Sequence, residues 1–372
     1  MIDSKYFYQL LRKNNINFFA GVPDSTLKYF CNYVTQNHSD NKHFICANEG
    51  GAIALGVGYH LSTGKIPAIY MQNSGIGNSI NPLVSIADEE VYSIPMLLLI
   101  GWRGKPGYID EPQHIKQGKI TLGLLEVLGI PYEVVDTDVQ KQVSIAINKI
   151  KKESKPFALI FSKGSFQEFN GTPVCGSDNF SLTREESIKI IVDSLKGDEV
   201  IVSTTGMASR ELFEYREQLG KCHENDFLTV GGMGHASKIA LGIAMQKPDK
   251  KIYCLDGDGA LIMHMGACAI NGTSNCKNFV HILLNNGSHD SVGGQCTVGF
   301  KVNFKEIAKA SGYNYVKSGR SKEEIKLLLK TIQKKDGPVF LEIFLKPGHR
   351  DDLGRPFKTP IENKKSFMEF LE

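Results

Sequence analysis

Short, continuously apolar, β-rich runs alternate with longer segments of helical period along this chain, and that alternation constrains its fold more than any other feature. Candidate strands are 16–20, 43–47, 66–71, 96–100 and 157–161 in the first half, and 200–203, 252–255, 280–284 and 339–344 in the second. Helical patterns lie between them at 52–61, 122–128, 139–151, 184–196, 238–245 and 322–334. Strands that are apolar at every position need cover on both faces, and the intervening helices supply it. The pattern predicts two α/β domains, each a doubly wound parallel sheet. A stretch rich in Gly, Ser, Asn and Pro separates them, which divides the chain into 1–165, a linker at 166–182, and 183–372. Thr183 caps the helix after the linker, with Glu186 completing a capping box.

With 372 residues, each domain is long enough to bury its own core. Hydrophobic residues make up 41% and charged residues 22%, a composition that excludes a disordered or fibrous chain. The net charge of +3 is too balanced for a nucleic-acid or membrane-surface protein. The longest apolar stretch, Ile94 to Ile100, falls far short of a membrane span, and the N-terminus has no signal-peptide core. No two of the eight cysteines form a C-x-x-C pair, which argues against a zinc or thioredoxin-like motif. Several sit in apolar runs and read as small buried hydrophobes, so a reducing, cytoplasmic setting is expected.

The chemistry concentrates in residues 253–288. One strand runs into Asp256-Gly257-Asp258-Gly259, and the next ends at Asn285-Asn286-Gly287-Ser288. In a parallel sheet both strand ends reach the edge where ligands bind. A carboxylate from Asp258 and an amide oxygen from Asn286 make a hard-oxygen pair suited to Mg2+ or Ca2+, and Mg2+ is commonly completed by a phosphate ester or diphosphate. Gly257 and Gly259 permit close backbone approach, and the following helix offers its N-terminus to an anion. Each piece alone also reads as a plain turn; two at consecutive strand ends favour a site.

A GDG followed, after a helix, by NN at a strand end resembles the motif of the thiamine-diphosphate decarboxylase and transketolase superfamily. The resemblance implies that Asp258, the Asn286 side chain and the Ser288 carbonyl hold Mg2+. It implies that Thr205, Gly206, Gly257, Gly259 and Ala260 lie against the diphosphate. Gly231 and Met233, in Gly231-Gly232-Met233-Gly234, match the aminopyrimidine acceptor and the apolar wedge beneath the cofactor. Glu49 closes the strand His43–Asn48 and opens the small-residue segment Gly50–Gly58. On residues alone it reads as an acid favourably placed at a helix N-terminus. The resemblance makes it the catalytic and cofactor-binding acid, set against N1′ of the aminopyrimidine. Cofactor sites in this superfamily are shared between subunits, so self-association as a dimer or higher is implied, with active sites at the subunit interface.

The chain has no room for the middle domain of the longer pyruvate decarboxylases. With Gly21-Val22-Pro23-Asp24-Ser25, Asn73–Asn78, Gly101-Trp102-Arg103-Gly104 and Asp110–His114, it looks most like the phosphonopyruvate decarboxylases of phosphonate biosynthesis, with the sulfopyruvate decarboxylases as near relatives. That implies a small anionic 2-oxo acid as substrate. Arg103, Lys105 and His114 sit on or beside a Gly/Pro-rich loop after the Met96–Ile100 strand, where Arg can grip a phosphonate bidentately. A solvated basic loop is the plainer alternative for Lys105. Asp24 and Ser25 either cap the next helix or, by resemblance, act as a catalytic and a substrate-binding residue. The His-His pair of pyruvate decarboxylases is absent, so His114, His289 and Asp290 stand as candidate proton donors, with His289 also a candidate substrate contact. The residues leave two rivals to a phosphonopyruvate enzyme: a decarboxylase of sulfopyruvate or another 2-oxo acid, and a non-catalytic cofactor-binding paralogue. A nicotinamide oxidoreductase is disfavoured, since no G-x-G-x-x-G opens a helix after an early strand.

Overall fold

Among the described residues, twelve parallel strands form two sheets. The computed structural model describes residues 1–38, 42–171, 175–176 and 180–372. These fall into two compact units, Met1–Pro173 and Val174–Glu372. In the first, the strands are β1 (Phe19–Gly21), β2 (His43–Ile45), β3 (Ala68–Gln72), β4 (Leu97–Trp102), β5 (Tyr132–Val134) and β6 (Phe157–Ser162), in the sheet order β2-β1-β3-β4-β6-β5. In the second they are β7 (Val200–Ser203), β8 (Asp226–Leu228), β9 (Ile252–Gly257), β10 (Phe279–Asn285), β11 (Tyr315–Gly319) and β12 (Val339–Phe344), in the order β11-β12-β10-β9-β7-β8.

Alternation along each strand builds two apolar layers per sheet. On β4, Leu97 and Leu99 pack with Phe7, Phe30 and Ile147 on one face, while Leu98 and Ile100 pack with Ile53, Val57 and Leu125 on the other. On β10, Val280 and Ile282 join Ile188 and Leu329, whereas Phe279 and Leu283 join Ala240 and Phe304. Both central strands are buried at every residue; β4 is apolar throughout, and β10 is apolar except at His281 and Asn285.

The linker expectation changes at its first residue. Phe166 is no spacer: it packs on Phe7, Phe30 and Phe161, and its backbone bridges to Ile2, so the first unit extends past it. Of the predicted linker, 172–174 and 177–179 lie outside the described residues. Several cysteines are expected as small buried hydrophobes in a reducing setting, and the structure adds a disulfide to that picture. Cys175 and Cys296 are joined by a disulfide. Cys31, Cys254 and Cys268 are buried free thiols, and Cys222 is exposed. No helix among the described residues is long and apolar enough to cross a membrane.

One contact ties the fold to the loop after β4. The helix Pro112–Val127 crosses that loop so closely that a Cβ on Gly118 would lie 1.7 Å from the Gly104 carbonyl oxygen. The Trp102 indole donates to the Gly118 carbonyl at 2.9 Å and fixes the crossing. The obstructing atom is backbone and cannot rotate away. Gly118→Ala should therefore cost about 1–3 kcal/mol of stability, read as a lower urea midpoint at unchanged slope. A wild-type midpoint would show that the helix and loop separate freely.

Candidate active site

Parallel strands deliver their C-terminal ends to one edge of each sheet. In the first unit Asp24 follows β1, Glu49 follows β2, Asn73 follows β3 and Arg103 follows β4. The winding direction reverses between β1 and β3, and such a reversal opens a crevice at that edge. Asp24 is fully buried there and accepts from the Thr26 and Leu27 backbone N–H groups (2.8 and 3.2 Å) and from Gln72 Nε2 (2.8 Å). Burial raises its pKa, and the Gln72 donor and the Arg103 charge offset part of that rise.

Glu49 is the first residue of the helix Glu49–Thr63, whose N-cap Asn48 accepts from Gly51 N–H at 2.8 Å. Its side chain is only 5% exposed, and Oε2 accepts from Asn78 Nδ2 at 2.7 Å. Gly75 makes room for it: a Cβ there would lie 2.5 Å from both Cγ and Oε1 of Glu49. Asn78 and Gly75 belong to the string noted in the sequence, but their attachment to Glu49 emerges only from the fold.

Arg103 does not present a free guanidinium. It forms a bidentate pair with Asp110, donating to that carboxylate from Nε (2.8 Å) and from Nη2, while Nη1 donates to Ser25 Oγ at 2.7 Å. Its backbone is pinned by the Asn73 amide, which donates to the Arg103 carbonyl (2.9 Å) and accepts from its N–H (3.1 Å). Lys105 donates to Ser162 Oγ at 2.9 Å and lies over the Trp102 ring. His114 is buried on the helix Pro112–Val127, and burial with the Arg103 charge pushes its pKa down to about 4. Ser25 and Arg103 are thus in direct contact, whereas Lys105 and His114 have other local surroundings.

In the second unit Thr205, Met233, Gly257, Asp258, Gly259, Ala260, Asn286, Ser288 and His289 all line one cavity, with Arg184 and Asp290 also in its wall. It sits where the winding reverses between β7 and β9. Gly206 and Gly231 flank it. Gly231 N–H donates to Thr205 Oγ1 at 3.1 Å, and Gly206 adopts φ 99° at the start of the helix Met207–Gln218. Asn286, not Asn285, lines the cavity; Asn285 turns its amide nitrogen to the Gly299 carbonyl and to Glu342 (2.9 and 2.8 Å). Gly287, at φ 64°, makes the left-handed step that carries the chain from Asn286 to Ser288.

Asp258 is buried, and burial pushes its pKa up to about 6 despite a hydrogen bond from Thr297 Oγ1. Asn285 Oδ1 is buried without a hydrogen-bond partner. A hypothetical Cβ on Gly299 would approach both that oxygen (2.5 Å) and Asp258 Oδ2 (2.3 Å), so the two oxygens share one small region. A buried carboxylate beside oxygen donors, with no cationic side chain bonded to it, suits a hard divalent cation.

His289 is neutral at physiological pH, its pKa lowered to about 4 by burial. Asp290 accepts from Arg184, from Asn286 and from Gly348 N–H. Sequence reasoning missed Thr297 and Arg184 as site residues and did not link Asn78 to Glu49; all three act from distant positions.

Comparison with known proteins agrees with this geometry. Residues 3–120 match the thiamine pyrophosphate enzyme N-terminal TPP binding domain, and residues 204–343 match the C-terminal TPP binding domain. The chain is 32% identical to the phosphonopyruvate decarboxylase of Streptomyces viridochromogenes over 95% of its own length and 90% of that protein's. It is 26% identical to the sulfopyruvate decarboxylase of Methanosarcina acetivorans over 98% and 96% of the two chains. Over 46% of its length it is 31% identical to the sulfopyruvate decarboxylase subunit beta of Methanothermobacter thermautotrophicus, covering 85% of that subunit. The chain belongs to the phosphonopyruvate decarboxylase family of thiamine-pyrophosphate enzymes.

Proposed function

We propose that this chain decarboxylates 3-phosphonopyruvate to phosphonoacetaldehyde and CO2, in the cytoplasm and as a step of phosphonate biosynthesis. The observation that carries the reading is similarity to a phosphonopyruvate decarboxylase along nearly the whole of both chains. The buried Asp258 carboxylate, in the cavity that Asn286 and Ser288 also line, suits thiamine diphosphate with Mg2+. Asp258, Asn286 Oδ1 and the Ser288 carbonyl would ligate the ion, and Thr205, Gly206, Gly257, Gly259 and Ala260 would receive the diphosphate. The Gly231 carbonyl and Met233 would meet the aminopyrimidine. When bound, the cofactor supplies the electron sink that decarboxylation needs. The protein's part is orientation and proton control. Glu49 holds the proton at N1′, steadied by Asn78. Arg103 and Ser25 face the anionic substrate as one hydrogen-bonded unit. His114 and His289, both neutral, carry no proton to give near pH 7. Asp290 is ion-paired with Arg184, and Asp24 keeps its place as a catalytic residue, its pKa raised by burial. The same reading has the chain self-associate, as a dimer or higher, with active sites at the subunit interface.

Sulfopyruvate is the second reading, favoured by the similarity to the M. acetivorans enzyme. The test is kcat/KM for phosphonopyruvate, sulfopyruvate and pyruvate, each with and without thiamine diphosphate and Mg2+. The expected order places phosphonopyruvate first and pyruvate last by at least about tenfold, the effect of about 1.4 kcal/mol of differential binding. A preference for pyruvate would sink the anion reading, and a preference for sulfopyruvate would replace the substrate while keeping the chemistry.

A further inference from the structure

Asp290 lies two positions beyond Ser288 and stands, in sequence, as a candidate proton donor. In the structure it is an acceptor held by three donors. Oδ2 accepts from Arg184 Nη1 and from Asn286 Nδ2, both at 2.7 Å, and the carboxylate also receives the Gly348 N–H at 3.2 Å. Arg184 is itself 7% exposed, and its remaining donors, Nε and Nη2, form a bidentate pair with Glu211 at 2.8 and 2.9 Å. Asp290 is therefore held from behind by a buried ion pair anchored on the first residue of the helix Arg184–Ser194.

An amide side chain is nearly symmetric in shape, yet only one of its ends can ligate a cation. Two contacts bear on which end of Asn286 faces the metal position: Oδ1 accepts from Ser288 N–H at 3.3 Å, and Nδ2 donates to Asp290 at 2.7 Å. A carboxylate that is already ion-paired accepts hydrogen bonds and cannot donate them, so it selects the amide NH2 and turns Oδ1 the other way. We propose that Asp290 is a positioning residue for the divalent cation: with Arg184 and Glu211 behind it, it sets the orientation of Asn286 so that Oδ1, and not Nδ2, is offered to the ion. This rests on the cofactor reading above and adds to it a device built from residues outside the ligand set. It also gives the segment after the linker a role, since Arg184 couples the start of that helix to the metal site.

The test is Mg2+ titration of the full-length protein at saturating thiamine diphosphate, by isothermal calorimetry, with the melting temperature of the cofactor-free protein as a control on folding. Asp290→Asn keeps size and shape but can offer a donor to Asn286 as readily as an acceptor. It should raise the Mg2+ half-saturation by about tenfold or more, the usual cost of losing an outer partner of a metal ligand. The exchange variant Asn286→Asp with Asp290→Asn supplies rescue. A carboxylate at 286 presents oxygen at both ends, so it can accept from the new amide and still ligate, and half-saturation should return to within about threefold of wild type. Wild-type half-saturation in Asp290→Asn overturns the inference, and so does a weakened Asp290→Asn that the exchange fails to rescue. If the wild-type protein shows no Mg2+-dependent binding of thiamine diphosphate, the cofactor reading fails and this inference with it.

Discussion

Glu49→Gln is expected to lower kcat by about 10^2–10^4 while leaving fold and cofactor affinity in place. The glutamine has the same size as the acid it replaces, and its side-chain carbonyl can still accept from Asn78 Nδ2, which sits 2.7 Å from Glu49 Oε2. Asn48 continues to cap the helix, because its bond to Gly51 N–H does not involve Glu49. The variant therefore isolates the carboxyl group from its structural surroundings. What it loses is the ability to exchange a proton with the aminopyrimidine, since an amide cannot titrate in the working range. The measurement is steady-state kcat at saturating Mg2+ and thiamine diphosphate, beside the melting temperature and the calorimetric cofactor affinity. Near-wild-type turnover would remove Glu49 from the catalytic role. Loss of cofactor affinity equal to the loss of rate would make it a binding residue only.

Which parts of this molecule were legible in the sequence follows from how local their causes are. Strands such as Leu97–Trp102 and Phe279–Asn285 are buried on both faces, so nearly every residue is apolar, with His281 and Asn285 the exceptions, and the run stands out. The strands Tyr132–Val134, Asp226–Leu228 and Tyr315–Gly319 lie at or beside the sheet edges, are short, and are partly polar, so their pairing is fixed by neighbours and not by their own pattern. The helix Ile76–Ser85 was hidden by its Gly and Pro content, its interior Pro82 included. The cofactor motif was readable because a strand end with its turn supplies the donors within a few residues. The groups that steady those donors come from afar: Asn78 reaches Glu49 across 29 positions, Thr297 reaches Asp258 across 39, and Arg184 reaches Asp290 across 106. The basic loop shows the opposite difficulty. Arg103 looks free in sequence, yet Asp110, seven positions on, folds back to neutralise it. An anionic substrate at that position must compete with Asp110 or bind beside the pair.

Asp258→Asn is expected to shift stability in opposite directions with and without the cofactor. Burial raises the Asp258 pKa from 3.8 to about 6, so the folded protein takes up a proton more readily there than the unfolded chain does. Between those two values the folded state holds a proton that the unfolded state has lost. The resulting stability is fully present below pH 3.8 and is lost as pH rises through 6. Across that interval the loss is at most about 3 kcal/mol. Asparagine carries no charge to bury, and its carbonyl oxygen still accepts from Thr297 Oγ1. The cofactor-free variant should therefore be more stable than the wild type by about 1–3 kcal/mol at pH 8, with the difference vanishing near pH 4. Adding Mg2+ and thiamine diphosphate should reverse the order. A ligand at 100 times its dissociation constant stabilises the wild type by about 2.7 kcal/mol. The variant lacks the anionic ligand and should bind Mg2+ at least about 100-fold more weakly, beyond the 10–100-fold cost of losing an outer partner. Urea unfolding at pH 4 and pH 8, with and without cofactor, reads all four corners. If the two proteins keep the same order in both ligand states, Asp258 does not hold the cation. The acid is thus a group whose burial costs stability until an ion arrives to share its charge, which is the electrostatic signature expected of a metal ligand and not of a turn residue.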